Sequence, residues 1–223
     1  MGLRASKGNM YQGWITHTWN TIKGECPFLC NYCYMNRWGK QQPVRFDEKE
    51  LRTDLGKDNF IFVGSSCDMF ADSIPGEWIA DTMLHMAKYD NSYLIQSKNP
   101  GRIKEFLPID AHKYMVCTTI ESNRHYRDIS KAPSPLQRAL DMHEYAKVGI
   151  DTLVTIEPVM KFDLDELVRL VKHCGVVQVN IGADSGRNNL PEPSKEEILE
   201  LIKELEGYTK VVTKSNLKRL LIN

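Results

Sequence analysis

Short runs of β-branched and aromatic residues alternate with amphipathic stretches along most of the chain, and this alternation constrains the fold more than any other feature. The runs occupy residues 16–22, 60–63, 93–96, 114–119, 152–156, 176–181 and 210–212. Between them, residues 75–89 place Ile79, Met83 and Met86–Ala87 three or four apart, the spacing of one helical face. Residues 135–148 do the same with Leu136, Ala139, Leu140, Met142, Tyr145 and Ala146, and residues 163–173 with Leu164, Leu167, Val168 and Val171. The segment 194–205 opens with Ser194 and Glu197 in capping-box register, followed by Ile198, Leu201, Ile202 and Leu205. Several strand runs are apolar throughout, as strands covered on both faces are. Strand followed by helix, repeated every ~30 residues, predicts an α/β fold with parallel strands and crossover helices. A full eight-unit barrel takes about 250 residues; a chain of 223 fits a partial (βα)6-type barrel better. No linker or low-complexity tract divides it, so a single domain with its core over about 14–213 is expected.

Composition narrows the function classes. Hydrophobic residues make up 42% of the chain, enough for a proper core. The 29 basic and 29 acidic residues cancel, which argues against a generally basic nucleic-acid binder or an acidic tail. No apolar run approaches the roughly 18 residues of a membrane span. The first residues carry no apolar signal-peptide stretch, so a cytoplasmic protein without a membrane partner is expected.

Parallel α/β folds place their chemistry at the carboxyl ends of the strands. Those ends are polar here: Gly64, Ser65, Ser66, Cys67 and Asp68 after the second run, Ser97 and Lys98 after the third, Thr119, Glu121 and Asn123 around the fourth, Glu157 after the fifth, and Gly182 after the sixth. After the first run comes Cys26-Pro-Phe-Leu-Cys30-Asn-Tyr-Cys33-Tyr34. Three thiolates in so short a loop converge on one object. A structural zinc site would need four ligands, and only His17 lies near in sequence, inside the predicted first strand. A four-iron cubane held by three thiolates keeps one iron open for chemistry. Both readings stand on spacing alone, the first as a zinc-stabilised interaction module.

The spacing Cys-x3-Cys-x2-Cys, followed by an aromatic and placed just after the first strand of a βα series, resembles the radical S-adenosylmethionine (SAM) superfamily. That resemblance implies an enzyme with a [4Fe–4S] cluster on Cys26, Cys30 and Cys33, with SAM on the open iron. Reductive cleavage of SAM then gives a 5′-deoxyadenosyl radical that abstracts hydrogen from a substrate. It further implies that Ser65, Ser66 and Asp68 receive the SAM amino group, and that Lys98, Thr119, Glu121 and Asn123 receive its carboxylate and ribose. Tyr34 would lie beside adenine, and Gly182 would let backbone approach adenine or ribose. A flavodoxin- or ferredoxin-like reductant is implied as well.

Two narrower resemblances are visible. The Cys-Asn-Tyr-Cys-Tyr segment, Ser-Ser-Cys-Asp and Lys98 are similar to spore photoproduct lyases, with one departure: alignment on Asp68 puts Ser65 where the lyases carry a cysteine. A phage-associated radical SAM family of unassigned reaction resembles the chain more closely. It shares the pattern of Ser65 with Asp68, Ser97 with Lys98, Glu157-Pro158, Gly182 with Ser185-Gly186, and Val212 with Lys214. Cys67 is read either as a hydrogen donor or as core packing, and Glu157 as a carboxylate directed at substrate or ribose. The acid-free stretch 207–223, with Lys210, Lys214, Lys218 and Arg219, would make part of the rim positive. A nucleobase or nucleotide, free or within DNA or RNA, is therefore the expected substrate, with a peptide or protein as the alternative.

Overall fold

The computed structural model describes residues 3–6, 13–108 and 111–222. Strands β1 (Arg4–Ala5), β2 (His17–Trp19), β5 (Phe60–Val63), β6 (Ser92–Gln96), β7 (Tyr114–Thr119), β8 (Thr152–Ile156), β9 (Gln178–Ile181) and β10 (Lys210–Thr213) form one sheet in the order β1-β2-β5-β6-β7-β8-β9-β10. Seven of them run parallel; β1 pairs antiparallel with β2 at one edge. Strands β3 (Ile22–Lys23) and β4 (Arg45–Phe46) form a separate antiparallel pair. Helices α1 (Gly76–Met86), α2 (Pro100–Ile103), α3 (Pro135–Lys147), α4 (Leu164–His173) and α5 (Lys195–Glu206) lie between successive strands from β5 to β10, and α6 (Lys218–Leu221) follows β10. This is the predicted partial barrel, with β10 as a seventh parallel strand.

Side chains alternate across the sheet, as the two-residue strand period requires. Ile61 and Val63 of β5, Tyr93 and Ile95 of β6, Val116 of β7, Val154 and Ile156 of β8, and Val179 and Ile181 of β9 join the large core that includes the helix residues Ile79, Met83, Met142, Leu167 and Leu201. The opposite face carries a small separate cluster of Ile15, Phe62, Leu94, Cys117 and Leu153. Further along the same face, toward the carboxyl ends, the residues become polar. Gln96 donates to Thr119 Oγ1 at 3.2 Å, Thr155 Oγ1 lies 3.1 Å from Thr119 Oγ1, and Asn180 sits in register with Thr155. The inner wall is thus apolar below and hydrogen-bonding just beneath the rim.

One expectation is corrected. The run 16–22 is not one strand: β2 ends at Trp19, and Ile22–Lys23 turns away to pair with β4. Two polar side chains cause the break. Asn20 spends its amide on Ser65 Oγ (3.1 Å) and the Ser66 N–H (3.0 Å). Thr21 is buried against Thr82 of α1, with hydroxyls 2.7 Å apart, while its carbonyl accepts from Asp47 N at 2.7 Å. Tertiary hydrogen bonds of this kind leave no trace in apolar periodicity.

The capping box at α5 forms as the sequence predicts. Ser194 Oγ accepts from Glu197 N at 3.3 Å, and Glu197 Oε2 accepts from Ser194 N at 2.7 Å. Replacing an N-cap serine by alanine costs about 1 kcal/mol. Ser194→Ala is therefore expected to lower the melting temperature by about 2–4 °C in a chain of this size, measured by thermal circular dichroism. An unchanged melting temperature would show that the cap contributes nothing.

Candidate functional site

The cysteine loop leaves the short β3–β4 pair through Gly24, which has φ of +110°. A Cβ there would lie 2.6 Å from Pro43 O and 2.7 Å from Gln42 O, so only glycine fits. Its neighbour Glu25 donates its N–H to Gln42 O at 2.8 Å, which ties the loop to the segment entering β4. Two tight turns follow: Leu29 N donates to Cys26 O (3.1 Å) and Cys33 N to Cys30 O (3.0 Å). Cys33 then opens the 3-10 turn Tyr34–Trp38.

Cys26, Cys30 and Cys33 are unbridged and half-buried. They lie within electrostatic reach of one another: burial raises the Cys33 pKa first of all, and the charges of Cys30 and Cys26 add to that. Interaction with the buried Cys67 thiol pushes Cys26 down, and the same interaction pushes Cys67 well up. Cys26 is thereby favoured as the thiolate of the pair and Cys67 as the protonated thiol. Among the described residues no group of three or more His, Cys, Asp or Glu side chains is gathered to hold a single metal ion. The three free thiols match, in donor type and number, a cluster whose corners are separate irons.

The strand ends around this loop are joined by buried ionic contacts. Asp68, after β5, accepts from Ser97 Oγ (2.7 Å), Lys98 N (2.7 Å) and Phe70 N (3.1 Å), and its burial raises its pKa despite those bonds. The Lys98 ammonium, after β6, bonds to Tyr32 OH at 2.7 Å and pairs with Glu121 after β7. Glu121 is 2% exposed and also receives Arg138 from α3 at 2.8 Å and the hydroxyl of Tyr32. Burial alone would raise the Glu121 carboxyl, but Arg138 and Lys98 together hold it well below the usual carboxylate range. Burial and the Glu121 charge push Tyr32 far up, so its phenol stays a donor.

Farther round the rim, Glu157 follows β8 before a cis Glu157–Pro158 bond. Its carboxylate pairs with Lys214 and accepts from Asn216 Nδ2 at 2.8 Å. A Cβ on Gly182 would come within 2.8 Å of Glu157 Oε1 and 3.0 Å of Asn216 Oδ1. The missing side chain at 182 therefore makes room for Glu157 and Asn216. Of the basic residues in 207–223, Lys214 is taken up by Glu157, and Arg219 by Glu192 and the Asp184 carbonyl (3.0 Å). Internal pairing thus neutralises two of the four basic residues expected at this edge, while Lys210 and Lys218 stay exposed.

Most residues singled out from the sequence meet at the rim, though several meet each other. Tyr34 donates to the Ser65 carbonyl, Ser65 to Asn20, and Thr119 bonds Gln96. Asn123 is committed elsewhere: it accepts from Asp163 N (2.8 Å) and donates to Asp163 (3.0 Å) and Glu166 (2.8 Å), holding the start of α4. Ser66 Oγ, Asn180 Nδ2 and Asn216 Oδ1 are buried without a protein partner, hydrogen-bonding capacity that a polar ligand would use. Tyr32, Arg138, Asn20 and Asn216 were not singled out. Arg138 carried a signal, since it lies on the helical stripe of Met142 and Tyr145 and is a charge where an apolar residue belongs.

The fold is that of open parallel barrels already seen in enzymes of the spore photoproduct lyase and SuiB kinds. A cysteine-to-serine mutant of spore photoproduct lyase aligns with a TM-score of 0.66 and 11% identity, over 96% of this chain and 78% of that one. A spore photoproduct lyase double mutant with bound AdoMet and dinucleoside spore photoproduct gives 0.57 and 12%, over 92% and 65%. Streptococcus suis SuiB bound to S-adenosylmethionine gives 0.59 and 10%, over 89% of this chain and 50% of SuiB. No protein-family profile and no curated protein sequence matches the chain.

The Glu121 cluster makes a prediction about acid. A carboxylate held below its unfolded value of about 4.3 stabilises the fold fully above that pH and loses its contribution as pH falls toward the folded value. Glu121→Gln is expected to cost about 3–5 kcal/mol at pH 7, because it leaves Arg138 and Lys98 buried and uncompensated. In urea melts the gap to wild type should narrow steadily below about pH 4. A gap independent of pH would mean that Glu121 is not charged in the folded protein.

Proposed function

We propose that this chain is a radical SAM enzyme, binding a [4Fe–4S] cluster through Cys26, Cys30 and Cys33 and cleaving SAM reductively. The observation that carries this reading is the placement of three free thiols just beyond the first parallel strand, at the polar rim of an open barrel. Solved structures of that fold bind S-adenosylmethionine. When bound, the cluster would supply an electron, received from a flavodoxin- or ferredoxin-like donor, for reductive cleavage of SAM and hydrogen abstraction from the substrate.

The chain's own residues bind and orient. Ser66, with its unpartnered hydroxyl, and Asp68 face the amino group of SAM, with Ser65 held between Asn20 and Tyr34. Lys98 presents its ammonium to the SAM carboxylate while Glu121 and Tyr32 set its position. Thr119 belongs to the polar inner wall below, and Glu157 beside Gly182 offers acceptors to ribose or substrate. Asn123 acts at one remove by fixing the loop after β7 to α4. Cys67 is 3% exposed within the main core, which fits packing better than hydrogen donation.

A nucleobase within a nucleotide or single strand is the substrate class we favour. Residues 26–46 contain Arg37, Lys40 and Arg45 and no acid. They expose Trp38 at 62%, with the Arg37 guanidinium 5.2 Å from its ring and Tyr34 at 5.8 Å. Exposed aromatics with arginine beside them stack bases, and the positive charge attracts phosphate. The dinucleoside bound to a spore photoproduct lyase supports the same class; the precursor peptide bound to SuiB supports the alternative.

Anaerobic reconstitution with iron and sulfide is expected to load about four irons per chain and to give 5′-deoxyadenosine from SAM with dithionite, both lost in Cys30→Ala. Stoichiometric zinc with no deoxyadenosine would overturn the reading. For the substrate class, Trp38→Ala is expected to weaken single-stranded oligonucleotide binding about 5–100-fold, the loss of one stacked base. Wild-type affinity should fall with salt. Binding unaffected by either change would favour a peptide substrate.

A further inference from the structure

The cysteine loop is gripped from one side by the chain after β7. Lys131 N donates to Phe28 O at 2.8 Å, and Asn31 N donates to Ile129 O at 3.0 Å, so the two bonds bracket Cys30. The gripping segment is itself anchored. Ile129 N and Ser130 N both donate to Tyr126 O, at 3.1 and 3.2 Å, and Tyr126 OH donates to Lys161 O at 2.9 Å. Ser130 is thereby set opposite Cys30 with its Oγ 3.1 Å from the sulfur. On its other side Oγ accepts the Ala132 N–H at 3.2 Å. With that lone pair engaged, the hydroxyl proton is left to point at the sulfur. A ligating thiolate carries no proton, so the hydroxyl must be the donor.

We propose that Ser130 is a positioning residue that hydrogen-bonds the Cys30 thiolate and raises the reduction potential of the cluster. The inference rests on the proposed cluster and extends it to a residue 100 positions away, outside the cysteine motif. The sign follows from charge. The reduced cluster holds one more electron, so a fixed donor at its sulfur stabilises the reduced form more than the oxidised one, and hydrogen bonds to sulfur are among the factors that set such potentials. The backbone grip gives the bond its permanence, since Ser130 cannot withdraw without breaking the contacts to Phe28 and Asn31.

The test compares reconstituted wild type, Ser130→Ala and Ser130→Thr in the full chain, by iron content and by redox titration of the reduced-cluster electron paramagnetic resonance signal. Ser130→Ala should keep its iron but show about tenfold less reduced cluster at a fixed solution potential, a downward shift of about 59 mV for a one-electron couple. Ser130→Thr, which keeps the hydroxyl, should restore the wild-type midpoint. An iron-loaded Ser130→Ala with an unmoved midpoint overturns the proposal, as does an iron-loaded Ser130→Thr that behaves like alanine. If the alanine variant loses its iron, the iron–cysteine stretching bands of wild type decide: a shift on exchange into D₂O supports the hydroxyl donor, and its absence overturns it. Wild type that takes up no iron overturns the cluster reading itself, a result distinct from the failure of Ser130 alone.

Discussion

One buried carboxylate holds the upper end of this barrel together. Glu121 follows β7 and receives Lys98 from beyond the end of β6, Arg138 from α3 and the hydroxyl of Tyr32 from the cysteine loop. Three segments far apart in sequence are thus bound to a fourth at a single point shielded from water. Arg138 extends the cluster to the backbone carbonyls of Thr119 and Pro133. A buried charge of this kind is tolerable only while all its partners remain, because removal of one leaves the others desolvated and unpaired. The loop that would carry a cluster and the lysine that would meet SAM therefore have their relative positions set by the same side chain.

The rest of the rim follows the same logic on a smaller scale. Asp68 collects donors from the β6 end, Glu157 collects them from the segment after β10, and Asn20 fastens the β5 end to β2. Below these contacts the inner wall changes from the apolar cluster of Phe62, Leu94, Cys117 and Leu153 to the hydroxyls and amides of Gln96, Thr119, Thr155 and Asn180. The apolar part closes the bottom of the barrel by packing. The polar part gives a ligand entering from the rim something to bond.

Much of this was legible beforehand for an identifiable reason. Helices α3, α4 and α5 show in the sequence because each buries one face, which writes a period of 3.6 into the residues. The parallel strands show because they are covered on both sides. The break after Trp19 does not show, because it depends on Asn20 meeting Ser65 and Ser66, and Thr21 meeting Thr82. Residues of the rim were recognisable by their position after strands, yet their partners were not. Lys98 and Glu121 were each read as facing a ligand, whereas the fold also pairs them with one another. Gly182 was read as backbone room for a cofactor, and the room it leaves is filled in part by Glu157.

The sequence by itself determined the class of fold, the sites of its longer helices and of the parallel strands from β5 onward, and the three-thiol loop with its chemical character. Those properties are local, since periodicity, capping and ligand spacing are each complete within about a dozen residues. Tertiary structure alone decided which strand ends face one another, that Arg138 enters the Glu121 cluster, that Lys214 and Arg219 are neutralised, and that Ser130 stands against Cys30. Each of these joins residues brought together by closure of the barrel, and contact energies between residues so far apart in the chain leave no periodic mark in it.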